Sequence, residues 1–243
     1  MRNVLAAVCL AATLAGCAAG PGNDPRERFY RSLAPRANPS AVIAAELAFA
    51  REARGEGQWT AFREFATDDA VMFVPERVNA KEWLSGRADP PQSVDWQPHQ
   101  VWASCDGSLS VTRGAWQRPD GSVGYFTTVW QRRDLRRESE YRWVLDQGDV
   151  LAEPLEKPDI IRTEVADCAS GGLPTPFDSE QADWDANRDA MGDVSGYGES
   201  DDKTLVYRYS VAADRSRTIT VFLRRGDAME EVLRSEVAAP VES

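Results

Sequence analysis

Apolar residues between positions 41 and 66 recur on a helical period. Val42, Ala45, Leu47, Phe49 and Ala53 sort onto one broad side of Ala41–Arg54, while Arg51, Glu52 and Arg54 stay polar. Ser40, just after Pro39, is placed to cap this helix, and Gly55 and Gly57 stop it. A shorter helix follows over Gln58–Ala66, with Trp59, Phe62 and Phe65 at i, i+3 and i+6. Thr67-Asp68-Asp69 turns the chain, Val71–Val74 reads as a short strand, and Asn79 caps a helical turn containing Trp83 and Leu84. The period then changes to two. Gln100–Ser104, Leu109–Gln117, Val123–Arg132 and Tyr141–Gln147 are rich in Val, Thr, Tyr and Trp and read as strands. Asp106-Gly107, Pro119-Asp120-Gly121 and the charged stretch 132–140 connect them as hairpins. Helices first and an antiparallel meander afterwards make an α+β pattern, in which a sheet curling around the helices buries both apolar faces.

Beyond residue 150 the pattern weakens. Residues 151–164 are interrupted by prolines and read as an extended segment wrapping the preceding domain, and 169–200 read mostly as loop. Thr204–Val211 alternates, with Leu205, Tyr207, Tyr209 and Val211 on one face, and Arg217–Arg224 is a second strand. Met229–Val237 fits a third strand, though a helical period fits it about as well. Three strands alone are marginal, so they pack on the preceding sheet or extend it as a small β-meander appendage.

The start of the chain changes the picture. Residues 1–16 carry Arg2 and then the apolar stretch Val4–Ala15, too short to span a bilayer, ending in Leu14-Ala15-Gly16-Cys17. This resembles a bacterial lipoprotein signal, with Cys17 as the lipidated first residue and the membrane as its partner through that lipid. Ala18 after the cysteine leans toward the outer membrane, facing the periplasm. Residues 17–39 read as a flexible tether, 40–150 as the main domain and 151–243 as an extension with three strands. Cys9 leaves with the leader and Cys17 carries lipid, so Cys105 and Cys168 remain as a disulfide pair in an oxidising compartment. With 28 Lys and Arg against 39 Asp and Glu, the net charge of −11 argues against nucleic acid as a partner. One histidine and four cysteines exclude His-rich metal sites and zinc ribbons. Asp183, Asp185, Asn187, Asp189 and Asp193 invite a calcium reading, but neither register supplies the glycine and glutamate of an EF-hand loop. No metal and no cofactor is expected.

The run Ala41–Asp146 resembles the nuclear-transport-factor-2-like superfamily in its SnoaL-like bacterial branch. The resemblance rests on Gly57, Asp68-Asp69-Ala70, Asp106-Gly107-Ser108-Leu109-Ser110-Val111, Tyr125-Phe126-Thr127-Thr128-Val129-Trp130 and Tyr141-Arg142-Trp143-Val144-Leu145-Asp146. It implies a cone-shaped half barrel, helices closing a curved antiparallel sheet around a pocket, and a homodimer through the open sheet face. Registered on Gly57 and Asp68-Asp69-Ala70, the tyrosine and aspartate of the ketosteroid-isomerase pattern fall at Ala50 and Val74, which can neither donate nor shuttle a proton.

Candidate chemistry is therefore thin. His99, at the entrance to a strand, is the only histidine available as a base. Asp146 follows Trp143-Val144-Leu145 late in a buried strand, and alternation puts it on the face of Val144, toward the pocket. Strand parity selects Tyr125, Thr127 and Val129 as an inward set, with Met72 and Val74 from the first strand and Trp83 and Trp116 at the rim. Such a pocket suits a small apolar ligand. Three readings stay open: a tethered binding module without catalysis, a weak lyase, isomerase or hydrolase using Asp146, and a structural envelope protein with a vestigial pocket.

Overall fold

The computed structural model describes residues 36–134, 139–168 and 194–240; Cys17, the leader and the acidic run 183–193 lie outside them. Helix α1 (Pro39–Gly55) has Asn38 at its N-cap and Pro39 in its first turn, so it starts ahead of Ser40. Its buried face is Val42, Glu46, Phe49, Ala50 and Ala53, spaced i, i+4, i+7, i+8 and i+11. Leu47, expected inside, is 43% exposed. Helix α2 (Gln58–Phe65) is capped by a residue far along the chain. The Trp59 and Thr60 amides donate to Asp89 Oδ1, and Thr60 Oγ1 donates to Asp89 Oδ2. Gly57 enters this helix at φ 123°, and a Cβ there would lie 2.4 Å from the Asp89 carboxyl, so glycine is required twice over.

Strands dominate the rest, at 51% of the described residues against 17% helix. They are β1 (Ala66–Phe73), β2 (Arg77–Asn79), β3 (Asp95–Ala103), β4 (Leu109–Gln117), β5 (Val123–Asp134), β6 (Ser139–Leu151) and β7 (Arg162–Val165), with a one-turn helix α3 (Ala80–Leu84) after β2. These seven form one sheet in the order β2-β1-β6-β5-β4-β3-β7. A second sheet, β11-β10-β9-β8, is built from β8 (Val194–Glu199), β9 (Leu205–Val211), β10 (Arg217–Arg225) and β11 (Ala228–Val237).

This corrects the expected architecture. The helices do not fill a cone of antiparallel strands. The large sheet is mixed, because β1 runs parallel to β6 and β7 runs parallel to β3. Hairpin turns dictate antiparallel neighbours only for strands adjacent in sequence. Nothing local shows that β1 returns beside a strand some 75 positions later, as in the pair Val71 and Leu145. Nor is the C-terminal part an appendage of three strands. It is a four-stranded layer, with β8 in a stretch read as loop and β11 a strand rather than a helix.

The layers share two cores. On one face of the large sheet, Phe49, Ala50 and Ala53 of α1 pack with Trp96, Phe126, Trp130 and Trp143. On the other, Trp102, Leu109, Val111, Val129 and Leu145 pack against Leu205, Tyr207, Ile219, Val221 and Leu223 of the second sheet. The face expected to join two copies is thus covered by the chain's own second sheet.

The two sheets repeat a construction. Ser104–Leu109 joins β3 to β4 and Ser200–Leu205 joins β8 to β9. In each turn the serine Oγ donates to the aspartate Oδ1 and accepts from the leucine amide, and the amide two residues after the aspartate donates back to it. The next turns, Arg118–Ser122 and Ala212–Ser216, also match, with Ser122 and Ser216 donating through N and Oγ to Asp120 and Asp214. Each left-handed position is glycine in the first sheet, Gly107 and Gly121, and Lys203 or Arg215 in the second. The first two turns also bind one another, through Cys105 N to Thr204 Oγ1 and Asp106 N to Asp202 Oδ2. At the same end Cys105 is joined to Cys168 by a disulfide.

Candidate functional site

A single transverse row of the large sheet organises the helix-side cleft. Thr112 on β4 pairs with Thr128 on β5, Thr128 with Asp146 on β6, and Asp146 with Met72 on β1. Over this row α1 places Glu46, fully buried among aromatic rings. Trp96 Nε1 donates to Glu46 Oε1 at 2.8 Å, while Thr112 Oγ1 and Trp130 Nε1 donate to Oε2 at 2.6 and 2.9 Å. One carboxylate thus ties α1 to β3, β4 and β5. Burial pushes its carboxyl up to about 7, against the pull of the three donors, and the charge on Asp146 adds to the rise.

Asp146 is held differently. Thr128 Oγ1 donates to its Oδ2 at 2.6 Å, and no other hydrogen bond to its side chain is present among the described residues. Burial pushes this carboxyl up to about 6. It faces a cleft of about 280 Å³, walled by Phe49, Trp59, Phe62, Trp96, Trp116 and Phe126, with Met72 and Val74 from the first strand and its end. Trp116 lies flat over Gly124, where a Cβ would come within 2.2 Å of its ring, and donates Nε1 to the Tyr125 carbonyl. Arg118 stacks over the same ring, 4.8 Å from its centre, at the mouth. Asp149 also lines the opening. The arrangement offers apolar walls, one acceptor with spare capacity at the floor, and a second acid behind it.

The residues expected at the site divide between two faces. Met72, Val74, Trp116 and Asp146 line the cleft together. Trp83 stands behind the wall, edge-on to Trp59 with Arg87 over its ring. Tyr125, Thr127 and Val129 point the other way: Val129 joins the core between the sheets, and the Tyr125 hydroxyl donates to the Glu236 carbonyl on β11. The cleft residues of β5 are Phe126 and Thr128. Alternation sorts residues into two sets without saying which set meets which layer, and here both layers are apolar. A bulge between the pairs Val129–Leu145 and Trp130–Trp143 leaves Val144 as the extra residue, packed toward the second sheet and not on the face of Asp146. His99 is far from this chemistry, lining a different cavity. Ala50 is buried and Val74 lines the cleft; the ionisable groups that line it are Asp146, Asp149 and Arg118, with Glu46 buried behind the row of Thr112, Thr128 and Asp146. Glu46 escaped the sequence reading, although a glutamate in the register of Val42, Phe49, Ala50 and Ala53 was the available signal.

No family model matches the chain, and no curated protein matches it. Among solved structures, a candidate aromatic ring hydroxylase from Novosphingobium aromaticivorans aligns with 47% of this chain and 90% of its own, at 12% identity and a TM-score of 0.34. So slight a likeness carries no argument about fold or activity. Among the described residues no group of three His, Cys, Asp or Glu side chains is placed to hold a metal ion.

Proposed function

We propose that the protein is an envelope lipoprotein, anchored through lipid on Cys17, whose helix-side cleft binds a small, largely apolar molecule with one hydrogen-bond donor directed at Asp146. The observation that carries this reading is the half-satisfied carboxyl of Asp146 on an otherwise aromatic floor. A half-buried acceptor with a single protein donor can take a second hydrogen bond from a ligand in the cleft. The cleft volume, about 280 Å³, limits the ligand to a fragment-sized molecule. Among the described residues no helix is long and apolar enough to cross a membrane, so the proposed attachment rests on the lipobox sequence alone. The test is to extract purified protein with organic solvent and identify retained small molecules by mass spectrometry. The Asp146→Asn variant is expected to lose the retained compound, with Trp and Phe packing unchanged by near-ultraviolet circular dichroism. Equal retention by both proteins would refute the role of Asp146.

A second reading is favoured by one specific observation. Burial pushes the Asp146 carboxyl up to about 6 and the Glu46 carboxyl up to about 7, and the charge on Asp146 adds to the rise at Glu46. A base poised near neutral pH suits proton abstraction from a bound molecule, the chemistry of a lyase or isomerase. Turnover of the extracted compound, lost in Asp146→Asn, would decide for catalysis over binding.

A further inference from the structure

A second cavity, of about 560 Å³, lies between β3–β4 and the strap from Leu155 to Arg162, on the side of Arg113 and Tyr125. Its lining charges are Arg113, Lys157 and Arg162 against Glu156 and Asp159, net +1 with His99 neutral, on a chain of net charge −11. The two acids are exposed, whereas Arg113 is the half-buried group. Its guanidinium stacks on the Tyr125 ring at 4.3 Å and donates to Thr127 Oγ1 at 3.3 Å. Among the described residues no carboxylate pairs with it, which leaves most of its five N–H donors without a protein acceptor. These remaining donors are the ones that the oxygens of an anion in the cavity can meet.

His99 adds an independent observation. It is the extra residue of a bulge between the pairs Pro98–Gly114 and Gln100–Arg113, which turns its side chain into this cavity wall. Its Nε2 is buried and has no hydrogen-bond partner. His99, whose Nε2 has no partner, and Arg113, whose one hydrogen-bond acceptor among the described residues is Thr127, thus line the same space.

We propose that this cavity is a binding site for a small organic anion, a carboxylate or phosphate ester, held by Arg113 at its base and by Lys157 and Arg162 of the strap at its rim. The cavity is larger than a bare oxyanion needs, so the ligand carries an organic body that fills the space beside His99 and Leu155. Arginine suits this role because its planar fork can meet two oxygens at once. The site is separate from the Asp146 cleft and does not depend on the reading of it.

Calorimetric titration of the purified full-length protein with citrate, benzoate and inorganic phosphate tests this. Saturable binding of citrate or benzoate is expected, tighter than that of phosphate. Arg113→Gln is expected to weaken it at least about tenfold, the loss of a charge-assisted contact. The double variant Lys157→Gln/Arg162→Gln, which touches only exposed side chains, is expected to weaken it several-fold and decides the matter if Arg113→Gln does not fold. Asp146→Asn is expected to leave it unchanged. Absence of saturation with all three anions, undiminished affinity in the folded variants, or equal loss in Asp146→Asn would each overturn the proposal.

Discussion

Glu46 shows how much one side chain decides. It holds α1 on three strands through donors from Trp96, Thr112 and Trp130. Thr112 serves either protonation state. It donates to Glu46 at 2.6 Å, or, when Glu46 is protonated, accepts from it and turns its own hydrogen to the Thr128 carbonyl at 3.4 Å. The folded carboxyls of Glu46 and Asp146 sit at about 7 and about 6, above their ordinary values of 4.5 and 3.8. The folded chain therefore keeps protons that the unfolded chain releases. That contribution to stability is complete below about pH 4 and is lost as pH rises through about 6 and then about 7. Urea unfolding is expected to show stability falling between about pH 4 and pH 7, on the order of 3 kcal/mol from Glu46. Glu46→Gln is expected to flatten that profile, and a profile rising over the same range would contradict the assignment. Neither this hub nor its pH dependence was legible as chemistry in the sequence. A lone glutamate on an apolar stripe becomes a hub only when two indoles and a hydroxyl from other strands arrive around it.

At the scale of elements, the hairpin turns were legible because they are built from their own residues. Asp-Gly and Asp-Arg-Ser sequences close the chain through aspartate side chains bonded to amides two residues on. The repetition between the two sheets is hidden in the sequence, since glycine fills the left-handed position in one sheet and a charged residue fills it in the other. Arg215 has φ 70° and Lys203 has φ 58°. An L side chain in that region is strained by about 1 kcal/mol. Arg215→Gly is expected to raise stability by about that amount in chemical denaturation, and Gly121→Ala, at the equivalent turn, to lower it. A drop in stability for Arg215→Gly would show that the contact of Arg215 with Glu76 outweighs the backbone. The period of two marks β4, β5, β6, β9, β10 and β11, but β1 begins at Ala66 and runs through Thr67-Asp68-Asp69, expected to be a turn, and β2, β7 and β8 carry no such period. The orientation of β5 and β6 was not, because both of their faces are covered by apolar layers and β6 carries a bulge.

The described residues form three layers, and the outer sheet is the part that local patterning described least. Its inner face covers Trp102, Leu109, Val111, Val129 and Leu145 of the large sheet. A chain ended after residue 168 would present those side chains to water as one apolar surface. Such a truncation is expected to bind a hydrophobic dye more strongly than the full chain. A soluble, cooperatively folded truncation would mean that the two sheets are independent.

Sequence alone determined what depends on neighbours along the chain: the presence of α1 and α2, the strands β4, β5 and β6, the turns at Asp106-Gly107 and Asp120-Gly121, and the acidic balance. Tertiary structure decided what depends on residues far apart: the parallel neighbours of β1 and β7, the face on which Tyr125 and Val129 sit, the meeting of Glu46 with Asp146, and the placing of Arg113 beside His99. The division follows from range. Turn and helix energies are set within a few residues, whereas burial and the electrostatic environment of a buried group are set by whichever strands the fold brings alongside.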